Sequence, residues 1–139
     1  MQNEIKHNWR FASSPQEIWE YLTKPELLEK WLMKTDFQPV VGHKFTFSCG
    51  ATNYCEVLEV KPFTRLSYTW QTTSAKGGKP FDSIVTWTLL PKEGGTELQL
   101  VHNGFTALED ALGHDQGWTK TGSQLVELLN PVSIGSNNA

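Results

Sequence analysis

The sequence predicts an α+β fold in which a curved antiparallel sheet of about six to seven strands wraps around one long C-terminal helix, an arrangement called a helix grip. Apolar and polar residues alternate through most of positions 36–104, which is typical of strands. Two short helical segments follow the first strand, and an amphipathic segment lies near the C-terminus. Because one face of the sheet is polar, the last helix must cover the apolar face.

The N-terminal part predicts one strand followed by two short helices. The strand places four residues on one parity: Ile5, His7, Trp9 and Phe11. Ser14, Pro15 and Glu17 then form a helix-capping pattern. This helix should end near Thr23, because Pro25 disfavours helical geometry at the residue before it. Pro25 opens the second helix, which we expect over residues 26–32.

The central part predicts a series of hairpin-connected strands, separated by turn-forming clusters. Four strands alternate clearly, with the inward residues His43, Phe45, Phe47 and Cys49; Leu66, Tyr68 and Trp70; Val85, Trp87 and Leu89; and Leu98, Leu100 and His102. The strand near residues 54–60 is ambiguous, since Val57 lies on one parity and Leu58 and Val60 lie on the other. Its register stays open.

The C-terminal part predicts a long helix. Residues 106–109 resemble a capping box, and we expect Gly113 to interrupt the helix before a longer stretch from about Asp115 to Leu129. The inward stripe of this helix reads Trp118, Thr121 or Gly122, Leu125, and Leu128 or Leu129. Pro131 ends it. We therefore expect one domain over residues 1–131 and a flexible tail over 132–139.

The overall composition excludes several classes of protein. The chain has 139 residues and a net charge of -3, with 12 basic and 15 acidic residues mixed along it. This gives no basic surface for nucleic acid. No apolar run approaches the ~20 residues that span a bilayer, and the N-terminus lacks the apolar core of a signal peptide. We expect a cytoplasmic protein without a membrane span.

Cysteine and histidine spacing predicts neither a metal site nor a cofactor. Cys49 and Cys55 flank a turn, so a cross-strand disulfide is conceivable, but in a reducing cytosol two free buried thiols are favoured. Their spacing matches no zinc pattern, and the four histidines form no HxH or HxxxH pair. We expect no structural metal and no cofactor.

Several strings occur together in the order typical of one family. They are residues 12–15 with Ile18-Trp19; residues 24–27 with Trp31; residues 56–60 and 66–70; residues 85–89; residues 95–98 with residues 102–105; and Gly117-Trp118. This ordered set resembles the START-like (SRPBCC) superfamily, in particular the branch named after the activator of the heat-shock protein 90 ATPase. The resemblance implies a helix-grip fold that encloses a binding cavity, and the ligands differ widely between members of the superfamily. It also marks Gly122 as a departure, since the family usually has a large apolar residue there.

A cavity between the sheet and the last helix is the predicted site. Gly117, Thr121 and Gly122 lack bulk, so either a ligand fills the space beneath them or aromatic residues such as Trp70 and Trp87 close it. The candidate ligand-binding residues are Trp31, Phe45, Phe47, Tyr68, Trp70, Val85, Trp87, His102, Trp118, Thr121, Gly122 and Leu125. Ordinary core packing explains the same aromatic residues.

Three functions remain open at this point. The first is a carrier or sensor of a small apolar or amphipathic molecule, with no catalytic residues. The second is a module that binds a chaperone, as the family name implies. The third is an enzyme that uses His102 and Tyr68 as polar groups inside the cavity. The residues favour this function least, because no carboxylate is placed to orient the imidazole.

Overall fold

The computed structural model describes residues 3–73 and 78–130, which form one antiparallel sheet and three helices. The strands are β1 (Asn3–Phe11), β2 (Lys34–Thr35), β3 (Lys44–Cys49), β4 (Ala51–Lys61), β5 (Arg65–Thr73), β6 (Pro80–Lys92) and β7 (Gly95–Phe105). The helices are α1 (Pro15–Thr23), α2 (Pro25–Trp31) and α3 (Leu108–Leu129). The predicted α+β helix grip, with two short helices after the first strand, is confirmed.

Within these ranges the sheet has seven strands in the order β1-β7-β6-β5-β4-β3-β2. Strands β2 to β7 form a meander, and β1 returns to pair with β7. The three helices cover the apolar face of the sheet, and the core includes buried residues of α1, α2 and α3 as well as of the strands. No helix in the described ranges is long and apolar enough to cross a membrane.

The start of α1 follows the predicted capping pattern. The Ser14 side chain accepts a hydrogen bond from the Glu17 amide at 3.2 Å, and Pro15 is the first helical residue. The helix ends at Thr23 because Lys24 is extended before Pro25. Helix α2 then begins at Pro25 itself, one residue earlier than predicted.

Helix α3 differs from the prediction in two respects. It is continuous for 22 residues, so Gly113 does not interrupt it, and its N-cap is Ala107, which has no side-chain capping bond. A glycine inside a helix costs about 1 kcal/mol relative to alanine. Burial of Ala111 and Trp118, on either side of Gly113, offsets this cost.

A β-bulge resolves the ambiguous strand β4. Val57 pairs with Tyr68 and Glu59 pairs with Ser67, so Leu58 is an extra residue on β4. An extra residue reverses the alternation of side chains beyond it. This explains why apolar residues occur on both parities of the strand.

The two cysteines differ in their exposure to solvent. Cys49 and Cys55 are free thiols, but Cys49 is exposed, so the prediction of two buried thiols is wrong for it. Burial raises the pKa of the Cys55 thiol to about 12. The predicted tail, residues 132–139, lies outside the described residues.

Candidate functional site

A cavity of about 360 Å³ lies between the N-terminal two-thirds of α3, the end of α2 and the adjoining part of β4 and β5. Its walls are Leu32, Met33, Asn53, Trp70, Thr73, Glu109, Asp110, Gly113, His114, Gly117, Trp118 and Thr121. Thr73, Glu109, Gly113 and Gly117 are exposed, so the cavity opens to solvent. Its volume is near the lower limit for small-molecule sites in proteins.

Helix α3 contributes seven of the twelve wall residues, and six of them form one helical stripe. The six residues are Asp110, Gly113, His114, Gly117, Trp118 and Thr121. They are spaced three and four apart, which places them on one face of the helix. A Cβ atom added at Gly113 or Gly117 would meet nothing within 4 Å. The two glycines therefore leave open space along this part of the helix.

The structure brings three of the twelve predicted site residues to the cavity: Trp70, Trp118 and Thr121. The other nine are not among its walls. Most of these belong to the closed core: Trp31, Phe45, Phe47, Tyr68, Val85, Trp87, His102 and Leu125. The aromatic stripe predicted from strand parity is thus mainly core packing.

Of the two possibilities for the space beneath Gly122, a ligand or an aromatic side chain, the structure shows the aromatic side chain. A Cβ atom at Gly122 would lie 2.2 Å from Cζ2 of Trp9. The indole of Trp9 therefore fills the space that the missing side chain leaves. Sequence reasoning considered Trp70 and Trp87 for this role, whereas the residue comes from β1, against which the helix packs.

His102 is fully buried and takes part in a continuous chain of hydrogen bonds. The indole N–H of Trp118 donates to Nδ1 of His102 at 2.9 Å, so Nε2 carries the hydrogen and bonds Oγ of Ser83 at 2.7 Å. Ser83 in turn donates to the Trp70 carbonyl at 3.0 Å. Burial, with a smaller effect from His114, lowers the pKa of His102 to about 3. This imidazole is neutral, and both of its nitrogens are hydrogen-bonded within the core.

The Tyr68 side chain is also buried and hydrogen-bonded within the core. Its hydroxyl oxygen accepts a hydrogen bond of 2.9 Å from the indole N–H of Trp87. Burial raises the pKa of the phenol, and the bond from Trp87 opposes this effect. His102 and Tyr68 therefore do not form the predicted pair of polar groups facing a ligand.

Trp70 is the exception among the buried polar groups. Its side chain is 3% exposed, and its Nε1 is the one buried side-chain nitrogen or oxygen of the described residues that has no hydrogen-bond partner. An unpaired buried donor costs about 1–3 kcal/mol. Both nitrogens of the neighbouring His102 are already used. The donor that lacks an acceptor thus belongs to a residue of the cavity wall.

The carboxyl groups and the imidazole of the wall lie on α3, whereas the polar residues Asn53 and Thr73 come from β4 and β5. Nδ1 of His114 donates to the Asp110 carbonyl at 2.8 Å, because a carbonyl oxygen can only accept. Glu109 is exposed at the opening. The described residues contain no group of three or more His, Cys, Asp or Glu side chains that could hold a metal ion.

Sequence reasoning missed nine wall residues, including Leu32, Met33, Gly113 and His114. A signal for part of this set was present. Extending the stripe of Trp118 and Thr121 backwards at helical spacing reaches Gly117, His114 and Gly113. The expected break at Gly113 prevented this extension.

A family model described as "Activator of Hsp90 ATPase homolog 1-like protein" matches residues 12–130. The chain belongs to this family. The Activator of Hsp90 ATPase homolog 1-like match covers all three helices and every strand except β1. The predicted family resemblance is therefore confirmed. No curated protein matches the chain.

Solved structures agree with this fold. A protein from Mesorhizobium loti is 35% identical, with 94% of this chain and 99% of that chain covered and a TM-score of 0.86. A Bacillus halodurans protein is 25% identical, with 91% and 96% covered and a TM-score of 0.76. The Aha1 dimer from Colwellia psychrerythraea is 20% identical, with 96% and 98% covered and a TM-score of 0.75.

Proposed function

We propose that this protein is a carrier or sensor that holds a small, largely apolar molecule in the cavity between α3 and the sheet. The observation that carries the proposal is the open space beside Gly113 and Gly117, in a helix whose other inward positions are closely packed. Each glycine lowers helix stability by about 1 kcal/mol. Leu32, Met33, Trp70 and Trp118 supply apolar walls suited to such a ligand.

The binding residues in this proposal are the cavity walls, with Trp70, Trp118 and Thr121 retained from the sequence prediction. The remaining predicted residues support the cavity from the core. We place the function in the cytoplasm, where a reducing environment is compatible with two free cysteines.

Native mass spectrometry of freshly purified protein is the first test, because it detects a retained ligand directly. The second test is binding of Nile red, an uncharged apolar fluorophore, to the wild type and to Thr121→Phe. The substitution places a ring at the cavity wall, and we expect it to weaken binding at least fivefold.

Thr119→Phe is the matched control. Thr119 is exposed and lies on the opposite face of α3, about 160° around the helix from Thr121. This variant should bind Nile red as the wild type does. Equal binding by all three proteins would show that the dye does not use the cavity and would count against the proposal.

A second candidate function is a chaperone-associated module, which the family description favours because it names an ATPase activator. Stimulation of Hsp90 ATPase activity by the purified chain would support it. Stimulation that persists in Thr121→Phe would separate this function from ligand binding.

An enzymatic role for His102 and Tyr68 has less support. Both side chains are hydrogen-bonded within the core, and neither is a wall of the cavity. A turnover that depends on His102, measured in a His102→Gln variant that still folds, would revive this alternative.

A further inference from the structure

The chemistry of the cavity wall restricts the class of ligand. We infer that the ligand is an uncharged apolar molecule that carries a hydrogen-bond acceptor, such as a ketone or ester oxygen, and that this acceptor pairs with the indole N–H of Trp70. The inference rests on the proposed binding function and adds the ligand class to it.

The first step of the argument is the unpaired donor. Trp70 is a cavity wall, it is 3% exposed, and its Nε1 has no acceptor within hydrogen-bond distance among the described residues. Buried indole N–H groups normally find a partner. Three other buried tryptophans show such pairing: Trp31 and Trp87 donate to oxygen, and Trp118 donates to His102.

The second step is that the protein itself has no free acceptor in the adjacent hydrogen-bond chain. Nδ1 and Nε2 of His102 are both engaged, and the Ser83 hydroxyl bonds both His102 and the Trp70 carbonyl. An acceptor for Trp70 must therefore come from elsewhere. Because Nε1 itself is buried, a ligand acceptor reaches it when a wall side chain beside the Trp70 ring moves aside.

The third step concerns charge. The described residues of the wall include two carboxyl groups, on Glu109 and Asp110, and neither lysine nor arginine. A ligand carboxylate would meet the carboxylate of Glu109 at the opening with no lysine or arginine of the wall to pair with it, and Nδ1 of the wall residue His114 already donates to the Asp110 carbonyl. An uncharged acceptor avoids this repulsion, so the wall favours a ketone or ester over a fatty-acid anion.

Three two-ring probes of similar shape test the inference: 2-acetylnaphthalene, which has a carbonyl acceptor; 2-isopropenylnaphthalene, which lacks it; and 2-naphthoate, which is an anion. Dissociation constants are measured by calorimetry on the full chain. We expect the ketone to bind roughly fivefold to tenfold more tightly than the hydrocarbon, the usual value of one hydrogen bond, and at least tenfold more tightly than the anion.

Two variants identify the groups responsible. Trp70→Phe keeps an aromatic ring and removes the donor, so the ketone and the hydrocarbon should bind equally. Glu109→Gln should narrow the difference in dissociation constant between 2-naphthoate and the ketone by about twofold, since Glu109 is exposed and its charge is screened.

A spectroscopic measurement on the wild type avoids dependence on the fold of the Trp70 variant. In a ¹⁵N–¹H correlation spectrum, the ketone should move the Trp70 indole N–H resonance downfield, and the hydrocarbon should not. If all three probes bind equally and this resonance does not distinguish them, the ligand class is wrong and the binding function stands. If no probe binds, the binding function itself fails for ligands of this size.

Discussion

At the scale of single residues, Gly122 has a packing role that sets it apart from the glycines of the cavity. A Cβ atom there would lie 2.2 Å from the indole of Trp9, whereas at Gly117 it would meet nothing within 4 Å. We expect Gly122→Ala to destabilise the protein by about 1–3 kcal/mol through overpacking. Gly117→Ala should stabilise it by about 0.5–1 kcal/mol through helix propensity. Urea unfolding measures both changes.

The double variant Gly122→Ala/Trp9→Phe controls for this explanation. A smaller ring at position 9 should relieve the overlap, so the double variant should lose less stability than the sum of the two single changes. Additive losses would show that Trp9 is not what excludes a side chain at Gly122.

His102 links the buried hydrogen-bond chain to acid stability. Its pKa falls to about 3 on folding from a usual value near 6.5, so between these pH values the unfolded chain binds a proton that the folded chain does not. The stabilising contribution is complete above about pH 6.5 and is lost as the pH falls towards 3. Each such proton changes the free energy of unfolding by ~1.4 kcal/mol per pH unit.

We therefore expect His102→Gln to flatten the acid side of the stability profile, measured by urea unfolding from about pH 7 to pH 4, by roughly 1 kcal/mol per pH unit. The variant will also be less stable at neutral pH, because Trp118 and Ser83 lose a partner. An unchanged slope in His102→Gln would contradict the neutral, buried imidazole.

At the scale of elements, the start of α3 offers a test of where the helix begins. Its N-cap Ala107 is extended and has no side-chain bond to the first turn. Ala107→Ser should stabilise the protein by about 0.5–1 kcal/mol, since a serine hydroxyl can accept a bond from an amide of that turn. Thermal unfolding should then shift upwards by about 3 °C.

Thr106→Ala distinguishes this start from the one that the sequence suggested. If Thr106 were the cap, its loss would cost about 1 kcal/mol. With Ala107 at the cap, we expect a change within about 0.5 kcal/mol for this exposed residue.

The strands show how far alternation of residues can predict a sheet. Phe45, Tyr68 and Trp87 were assigned to the inner face from parity alone, and all three are buried. The register of β4 was not accessible in this way, because the bulge at Leu58 is defined by pairing with β5. Pairing between strands depends on contacts that one strand's sequence does not contain.

The cavity was harder to predict than the fold for a related reason. Small residues on α3 indicated missing bulk, but the space beneath Gly122 is filled by Trp9 and the space beside Gly113 and Gly117 is not. Which glycine faces a ring from another element depends on how the sheet curves around the helix. Local sequence patterns do not specify that relation.

At the scale of the whole molecule, the two ends of α3 are held differently. Leu125 packs in the core near the C-terminal end, and the Asn130 side chain, just beyond the helix, bonds the backbone of Arg10 and Ala12 beside β1. The first part of the helix instead lies over the cavity, with exposed Gly113 and Gly117. Local opening is easier where buried apolar contacts are few. We therefore expect the amides of residues 112–117 to exchange hydrogen faster than those of residues 122–128.

A bound ligand should change this difference, because it supplies contacts that the first part of α3 lacks. Ligand at ~100 times its dissociation constant stabilises the folded state by about 2.7 kcal/mol. Hydrogen exchange followed by mass spectrometry, with and without 2-acetylnaphthalene, should show added protection mainly in residues 112–117. Protection spread evenly along α3, or confined to residues 122–128, would place the ligand outside the cavity.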